Sequence, residues 1–301
     1  MKQRPKIPLK LTNLSKHYGK FRGVENINLE LRPGEVFGFL GPNGAGKSTT
    51  IRTILNFITP SSGSIKIFEL DSSKDSVEVK NYLGYLAGEI ALYPEMTGIQ
   101  ILKYLTALGK KTDWEYVDQL TQRLDASLNR PIKSLSKGNV QKIGLIQAFM
   151  HKPDLIILDE PTSGLDPLVK QVFYEMVLEM KAQGKTLFIS SHDLTEVQKI
   201  CDRAAFIRQG QLVAIEDINQ TNSLNLRHFI LKFKKLPPLS GYKQLDGVRS
   251  IKKTGNQIEL TYRGEIGPLI KLLAQDTPID IETTETTLEE IFMHYYQEET
   301  K

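Results

Sequence analysis

The sequence predicts an α/β fold built on a parallel sheet, followed by a smaller α+β region, and three observations carry that prediction. Short apolar runs, VFGFL at 36–40, LIIL at 155–158 and TLFISS at 186–191, have strand length and lead straight into glycine-rich or polar residues, as strands covered on both faces do. Ahead of the first run, LKLTNL at 9–14 and VENINLELRPGE at 24–35 alternate, which reads as a strand and a hairpin and adds an antiparallel β subdomain. Near residue 222 the character changes to alternating segments around a helical stretch. The expected organisation is therefore a first domain over residues 1–222, with a helical subdomain inserted at about 89–150, and a second α+β domain over 223–301.

Composition narrows the class. The chain has 301 residues, 25% charged and 40% hydrophobic, the balance of an ordinary globular protein with room for two cores. No apolar run approaches the roughly 18–20 residues that cross a bilayer, and the opening MKQRPKIPLK lacks the apolar block of a signal peptide. A cytosolic location is expected unless a partner holds the chain at a membrane. The single cysteine, Cys201, has no internal partner for a disulfide and reads as a small buried hydrophobe. A net charge of +4 spread along the chain argues against a nucleic-acid binder.

Taken in order, KHYGKF at 16–21 separates the two N-terminal strands. Tyr18 on that turn can stack on an adenine ring, although half-buried packing is the commoner role of a tyrosine there. The next element is the most informative. After Val36–Leu40 comes GPNGAGKS, comprising Gly41, Pro42, Asn43, Gly44, Ala45, Gly46, Lys47 and Ser48, and from Thr49 helical spacing resumes. Strand, glycine loop and helix in that order form the context that the phosphate-binding loop GxxxxGK[ST] requires. The glycines let N–H groups turn inward around phosphate. Lys47 supplies a point charge, Ser48 a hydroxyl for Mg²⁺, and the helix N-terminus its partial positive charge. The four fixed positions would match by chance in roughly one chain in a hundred, and the flanking strand and helix lower that further.

TPSSG at 59–63 then marks a turn, SIKIF a strand, 74–82 a helix and LGYL at 83–86 a short buried strand. From Glu89 to about Met150 the pattern is helical. Ile101, Leu102, Leu105 and Leu108 form one apolar face, and Trp114–Leu124 supply another. In PDLIILDEPTSGLDP at 153–167, the apolar run delivers Asp159 and Glu160 to the carboxyl end of a buried parallel strand, where open α/β sheets bind ligands. The run at 186–191 ends at His192, and the spacing of Asp193 and Glu196 predicts a capping box on the helix that follows. In the second domain, NSLNLRHFILKFKKLPP contains a strand, VRSIKK and QIELTYR form a hairpin around 254–256, 264–275 is a helix, PIDIET a strand, and LEEIFMHYY a closing amphipathic helix. Lys232, Lys234 and Lys235 read as a solvated strand edge.

With these motifs in hand, residues 9–217 resemble the nucleotide-binding domain of ABC transporters, which has a P-loop NTPase (RecA-like) core. GPNGAGKS is the loop, LSKGN at 135–139 stands where the family has LSGGQ, LIILDEP precedes an SGLD loop at 163–166, and His192 matches the switch histidine. The loop alone fits many enzymes; LSKGN shortly before the 155–158 run selects this family. The resemblance implies ATP and Mg²⁺ as cofactors, with Ser48 and Asp159 holding the metal, Glu160 orienting water, and His192 meeting the γ-phosphate and Asp166. It also implies that Leu135, Ser136, Lys137, Gly138 and Asn139 close on the nucleotide of a second subunit, giving a head-to-tail dimer that sandwiches two ATP molecules. Ser136 fits this by its own chemistry, because it can cap the helix that carries Val140 and Ile143. Lys137 and Asn139 replace Gly and Gln with other hydrogen-bonding residues, so a modest effect is expected. The family's Q-loop glutamine falls at Gly88, with Glu89 next, which leaves that role open between them.

The function implied is that of an ATP-hydrolysing subunit of a transporter whose permease is a separate chain, coupled through the 88–97 region, where Tyr93 and Met96 are candidate contacts. Residues 223–301 resemble the C-terminal extension of ABC-2 type exporter subunits, which points to a drug, lipid or polysaccharide as cargo and to the cytoplasmic face of the membrane as location. Two other readings differ from this one in features of the chain. A soluble ABC protein acting on ribosomes or nucleic acid usually carries two loops with a charged linker, or large insertions or zinc cysteines, none of which this sequence has. A nucleotide-sensing adaptor with little hydrolysis differs in turnover.

Overall fold

In a computed structural model of the chain, residues 7–109, 112–218 and 226–285 are described below. The chain divides into two compact units, Met1–Ile215 and Glu216–Lys301. The expected boundary between 222 and 223 lies outside the described residues.

The first unit opens with an antiparallel hairpin, β1 (Lys10–Tyr18) and β2 (Phe21–Glu30), reversed at Gly19. Leu11 faces Leu29 and Leu14 faces Ile27, and register shifts interrupt the ladder. Asn13 and Asn26, both at positive φ, sit at these irregularities, where a short polar side chain tolerates the left-handed region. β3 (Val36–Leu40) then enters the core with every residue buried. It is followed by α1 (Lys47–Ile54), β4 (Ser62–Ile67), β5 (Leu70–Asp71), α2 (Ser76–Lys80) and β6 (Leu83–Leu86). β4 and β5 complete a four-stranded sheet of order β2-β1-β4-β5.

The inserted helices are α3 (Gly98–Leu108), α4 (Trp114–Arg123) and α5 (Lys137–Phe149). Thr97 and Gln100 close a capping box on α3, Asp113 caps α4, and Ile101, Leu102, Val117, Leu120 and Leu124 are buried. Leu108, expected on the same apolar face, is instead 69% exposed, at the last position of α3.

Next come β7 (Leu155–Asp159), α6 (Pro167–Ala182), β8 (Thr186–Ser191), α7 (Leu194–Ile200), β9 (Arg203–Arg208) and β10 (Gln211–Asp217). The large sheet has the order β10-β9-β3-β8-β7-β6, and the pairs β9/β3, β3/β8, β8/β7 and β7/β6 are parallel. All residues of β3, β7 and β8 are buried, which is why they read as continuous apolar runs. Phe188 stacks on Phe37 with ring centroids 6.1 Å apart and packs against Phe39 at 5.3 Å. The same core takes in Leu11, Leu14 and Ile27 from the hairpin and Ile51 and Ile54 from α1, so α1 is held between the two sheets. The carboxyl ends of β3, β7 and β8 thereby share one edge with the N-terminus of α1.

The second unit comprises β11 (Leu226–Lys232), α8 (Ser240–Gln244), β12 (Val248–Thr254), β13 (Gln257–Arg263), α9 (Gly267–Asp276) and β14 (Asp280–Glu285). Its antiparallel sheet has the order β12-β13-β11-β14, the split β-α-β arrangement. Phe229, Leu231, Ile258, Leu260 and Tyr262 pack on Tyr242 of α8 and on Leu269 and Leu273 of α9. Contrary to the sequence expectation, Lys232 does not lie on an edge. β11 is an interior strand, and the Lys232 ammonium is held by Asp280 and Glu282 of the neighbouring β14. The closing helix expected at LEEIFMHYY falls outside the described residues. Among the described residues no helix is long and apolar enough to cross a membrane.

Candidate functional site

The loop between β3 and α1 owes its shape to two glycines. Gly46, the residue before α1, has φ +108°, and a Cβ there would stand 2.7 Å from Val24 Cγ1. At Gly41 a Cβ would meet the Ile207 carbonyl oxygen of β9 at 2.4 Å. Ala45 N–H bonds to Pro42 O at 3.1 Å, and Gly210 N–H to Ala45 O at 2.9 Å, which pins the loop to the turn after β9. Lys47 is buried, and its Nζ donates to Gly41 O at 2.6 Å and to Pro42 O at 3.3 Å.

The end of β7 brings acids to the same place. Asp159 is buried and accepts at Oδ1 from Ser190 Oγ of β8 at 2.5 Å. Glu160 adopts φ +50°, a left-handed conformation uncommon for a residue with a side chain. It is held there by Glu160 N–H donating to Ser190 O at 3.2 Å, and by Gln141 of α5 donating to Pro161 O at 2.8 Å. The turned carboxylate meets Lys47 and His192 together. Glu160 Oε1 lies 3.1 Å from Lys47 Nζ, and Oε2 lies 2.6 Å from His192 Nδ1. The Lys47 contact is an ion pair without hydrogen-bond alignment, so the buried Oε1 is left with its acceptor capacity unspent.

These groups border a cavity of about 340 Å³ lined by Pro42, Asn43, Gly44 and Gly46–Thr49 of the loop, by Glu160, and by Arg22 and Gly23 of β2. Arg22 and Gly23 escaped sequence reasoning; nothing local marks them, and only the packing of the hairpin beside α1 brings them in. Tyr18 is half-exposed at the end of β1, and a Cβ on Gly23 would touch both its ring, at 3.0 Å, and Thr49 Cγ2, at 3.1 Å. The tyrosine ring therefore stands next to the phosphate loop.

Ser48 and Asp159 offer a hydroxyl and one carboxylate, hard oxygen donors of the kind that serve Mg²⁺ when phosphate supplies the remaining ligands. Among the described residues no cluster of three or more histidines, cysteines or acids could hold a metal without such help. At Gly88 a Cβ would come within 3.1 Å of Asp159 Oδ2, so the bare backbone packs closely on that carboxylate, and Glu89 beside it is exposed.

Leu135–Asn139 do not line the cavity. Ser136 Oγ accepts from Asn139 N–H at 3.2 Å and caps α5, as its position predicts. The Asn139 amide is engaged on both sides by Ser127, accepting from its N–H at 2.8 Å and donating to its carbonyl at 2.9 Å. Gly138 approaches Gly164 so closely that a Cβ would lie 2.7 Å from the Gly164 oxygen. Asp166 caps α6, and the Val169 and Leu168 N–H groups hold its carboxyl below the ordinary aspartate range, Val169 contributing most.

The expected capping box on α7 is only half made. Asp193 Oδ1 accepts from Thr195 N–H at 2.9 Å and Glu196 N–H at 3.3 Å, but Glu196 does not reach back. Its carboxyl instead turns into the protein and bonds to the Ser191 and Thr162 hydroxyls.

With this geometry established, four likenesses bear on the chain. A family model described as ABC transporter matches residues 24–163. The ABC transporter ATP-binding protein NatA of Bacillus subtilis is 34% identical over 228 residues, which are 73% of this chain and 93% of that protein. The linearmycin resistance ATP-binding protein LnrL of the same organism is 36% identical over 212 residues, 69% of this chain and 68% of that one. A solved structure of an ATP-binding subunit of an ABC transporter superposes with a TM-score of 0.65 at 28% identity, covering 71% of this chain and 92% of its own.

Proposed function

We propose that this chain, which belongs to the ABC transporter ATP-binding family and so binds and hydrolyses ATP, powers export of a drug, lipid or polysaccharide through a separate permease chain. The observation that carries the catalytic part is the meeting of Lys47, Glu160 and His192 at the cavity mouth, with distances of 3.1 Å and 2.6 Å to the two Glu160 oxygens.

In this reading the N–H groups of Asn43, Gly44 and Gly46 and the Lys47 ammonium receive the β- and γ-phosphates, and Lys47 exchanges Glu160 for phosphate as ATP enters. Ser48 and Asp159 hold Mg²⁺, which supplies neutralisation of the phosphate charge. Glu160, freed at Oε1, accepts a hydrogen bond from the attacking water. His192 steadies Oε2 and contacts the γ-phosphoryl group as it passes to water, with ADP as the leaving group. Tyr18 stacks on the base. The capped N-terminus of α5, with Leu135–Asn139, closes on the nucleotide of a second copy in a head-to-tail dimer, and Asp166 meets that copy from the adjoining loop.

Contact with the permease is assigned to residues 88–97. Tyr93 supports this, being 58% exposed and stacked edge-on against Tyr104 at 5.9 Å, an aromatic pair open to a partner. With such a permease contact the chain would work at the cytoplasmic face of the membrane. Export as the direction is favoured by the resistance function in the name of LnrL and by the exporter-like extension after residue 222.

Glu160→Gln is expected to slow turnover about 10²–10⁴-fold, roughly 3–5 kcal/mol, while ATP still binds and a dimer accumulates on size-exclusion chromatography. Turnover close to wild type in that variant contradicts the assignment of the water-orienting carboxylate.

A further inference from the structure

Glu196 is a buried acid that the assignments above leave without a role. It lies on α7, four residues beyond His192, with 2% of its surface exposed. Its Oε2 accepts two hydrogen bonds, from Ser191 Oγ at 2.7 Å and from Thr162 Oγ1 at 3.2 Å, whereas Oε1 is buried with no hydrogen-bond partner. The two donors belong to different strands' ends. Ser191 is the last residue of β8, directly before His192. Thr162 follows β7 by three residues, inside the turns formed by Ser163 N–H on Glu160 O and Leu165 N–H on Thr162 O, both at 3.1 Å, that carry the chain from Glu160 to Asp166.

Helix capping does not account for this acid, because Asp193 already receives the N–H groups of Thr195 and Glu196. Packing does not account for it either. An apolar side chain of similar size would fill the site without leaving a carboxyl oxygen unpaired in the core, so what the acid adds over such a residue is its acceptance from the Ser191 and Thr162 hydroxyls. Burial also pushes the Glu196 carboxyl above its ordinary range, and Asp193 pushes the same way, so the acid is held in surroundings that disfavour its charge.

We propose that Glu196 is a positioning residue for ATP hydrolysis: through Ser191 and Thr162 it ties the segment carrying His192 to the segment running from Glu160 to Asp166. It thereby fixes the spacing of the groups that converge on the third phosphate. This rests on the site assigned above, and it deepens that assignment by naming what holds the two segments together. The Glu196 carboxylate hydrogen-bonds to Ser191 and Thr162 and to no residue of the loop at 41–48, so the effect falls on turnover and spares ATP binding.

The test uses the full-length chain and compares Glu196→Leu, which removes the acceptor, with Glu196→Gln, which keeps one. Glu196→Leu is expected to lower kcat per folded molecule about 10- to 100-fold, with ATP affinity within about two-fold of wild type. Glu196→Gln is expected to stay within about three-fold of wild-type kcat. The proposal is overturned if Glu196→Leu keeps full kcat per folded molecule, if ATP affinity falls in step with kcat, or if Gln is as damaging as Leu. Should Glu196→Leu fail to fold, Ser191→Ala and Thr162→Val serve instead. Each is expected to lower kcat, and the double variant is expected to be no worse than the poorer single; simple additivity overturns the proposal. Glu160→Gln is run in the same series, so that an active Glu160→Gln variant marks failure of the site assignment, separately from failure of the role of Glu196.

Discussion

Lys47 in the first unit and Lys232 in the second are both lysines held by carboxylates, yet only one of them makes a site. The Lys47 side chain is 6% exposed and lies 3.1 Å from Glu160, with two loop carbonyls completing its shell. The Lys232 side chain is 34% exposed and sits between Glu282 and Asp280, whose hydrogen bonds, that of Glu282 first, hold its ammonium above the ordinary lysine range. The difference lies in strand direction. Parallel strands deliver their carboxyl ends to one edge, so Asp159, Glu160 and His192 arrive together beside a helix N-terminus and a cavity, with an acceptor to spare. Antiparallel neighbours face each other across the ladder, and a lysine on such a sheet is satisfied by the acids opposite it. Charge identifies a site only where the topology leaves it partly unspent.

Three changes sharpen or break this contrast. The largest effect is expected from Lys47→Met, which should weaken ATP binding about 10²–10³-fold in an equilibrium titration, since it removes the one cation buried against both the loop and Glu160. If the affinity barely moves, the cavity is not where the triphosphate binds. Next, Leu231→Ala in the core of the second unit is expected to cost that unit about 2–4 kcal/mol in denaturant unfolding, and to leave turnover per folded molecule unchanged. A parallel loss of turnover would show that the two sheets do not divide the work as described. The smallest effect is expected from Lys232→Met, an exposed pair whose removal should leave both the unfolding midpoint and turnover indistinguishable from wild type.

Much of the first unit could be read from the sequence, because its decisive features are local. Strands buried on both faces show no alternation and stand out as VFGFL, LIIL and TLFISS, and the glycines of the phosphate loop are required by the loop's own backbone. What was missed depends on neighbours distant in sequence. The β9–β10 hairpin at 203–217 was not read, since a strand as short as RAAFIR is defined chiefly by its pairing with β3. Arg22 and Gly23 reach the cavity only because the N-terminal hairpin shares a core with α1. The spacing of Asp193 and Glu196 fits a capping box, but the Ser191 and Thr162 hydroxyls drew the carboxyl inward. Alternation around Lys232 marks a strand and two faces; it carries no information on whether that strand lies at an edge or inside the sheet.

In the proposed arrangement the triphosphate is enclosed only when the capped end of α5 from a second copy joins the loop of the first. The most direct measurement is ATP turnover per chain across a dilution series, with the association state followed in the same samples. Turnover per chain is expected to rise steeply with concentration and to level off as the dimer saturates. Turnover per chain that stays constant down to concentrations where only monomer is present would contradict that arrangement.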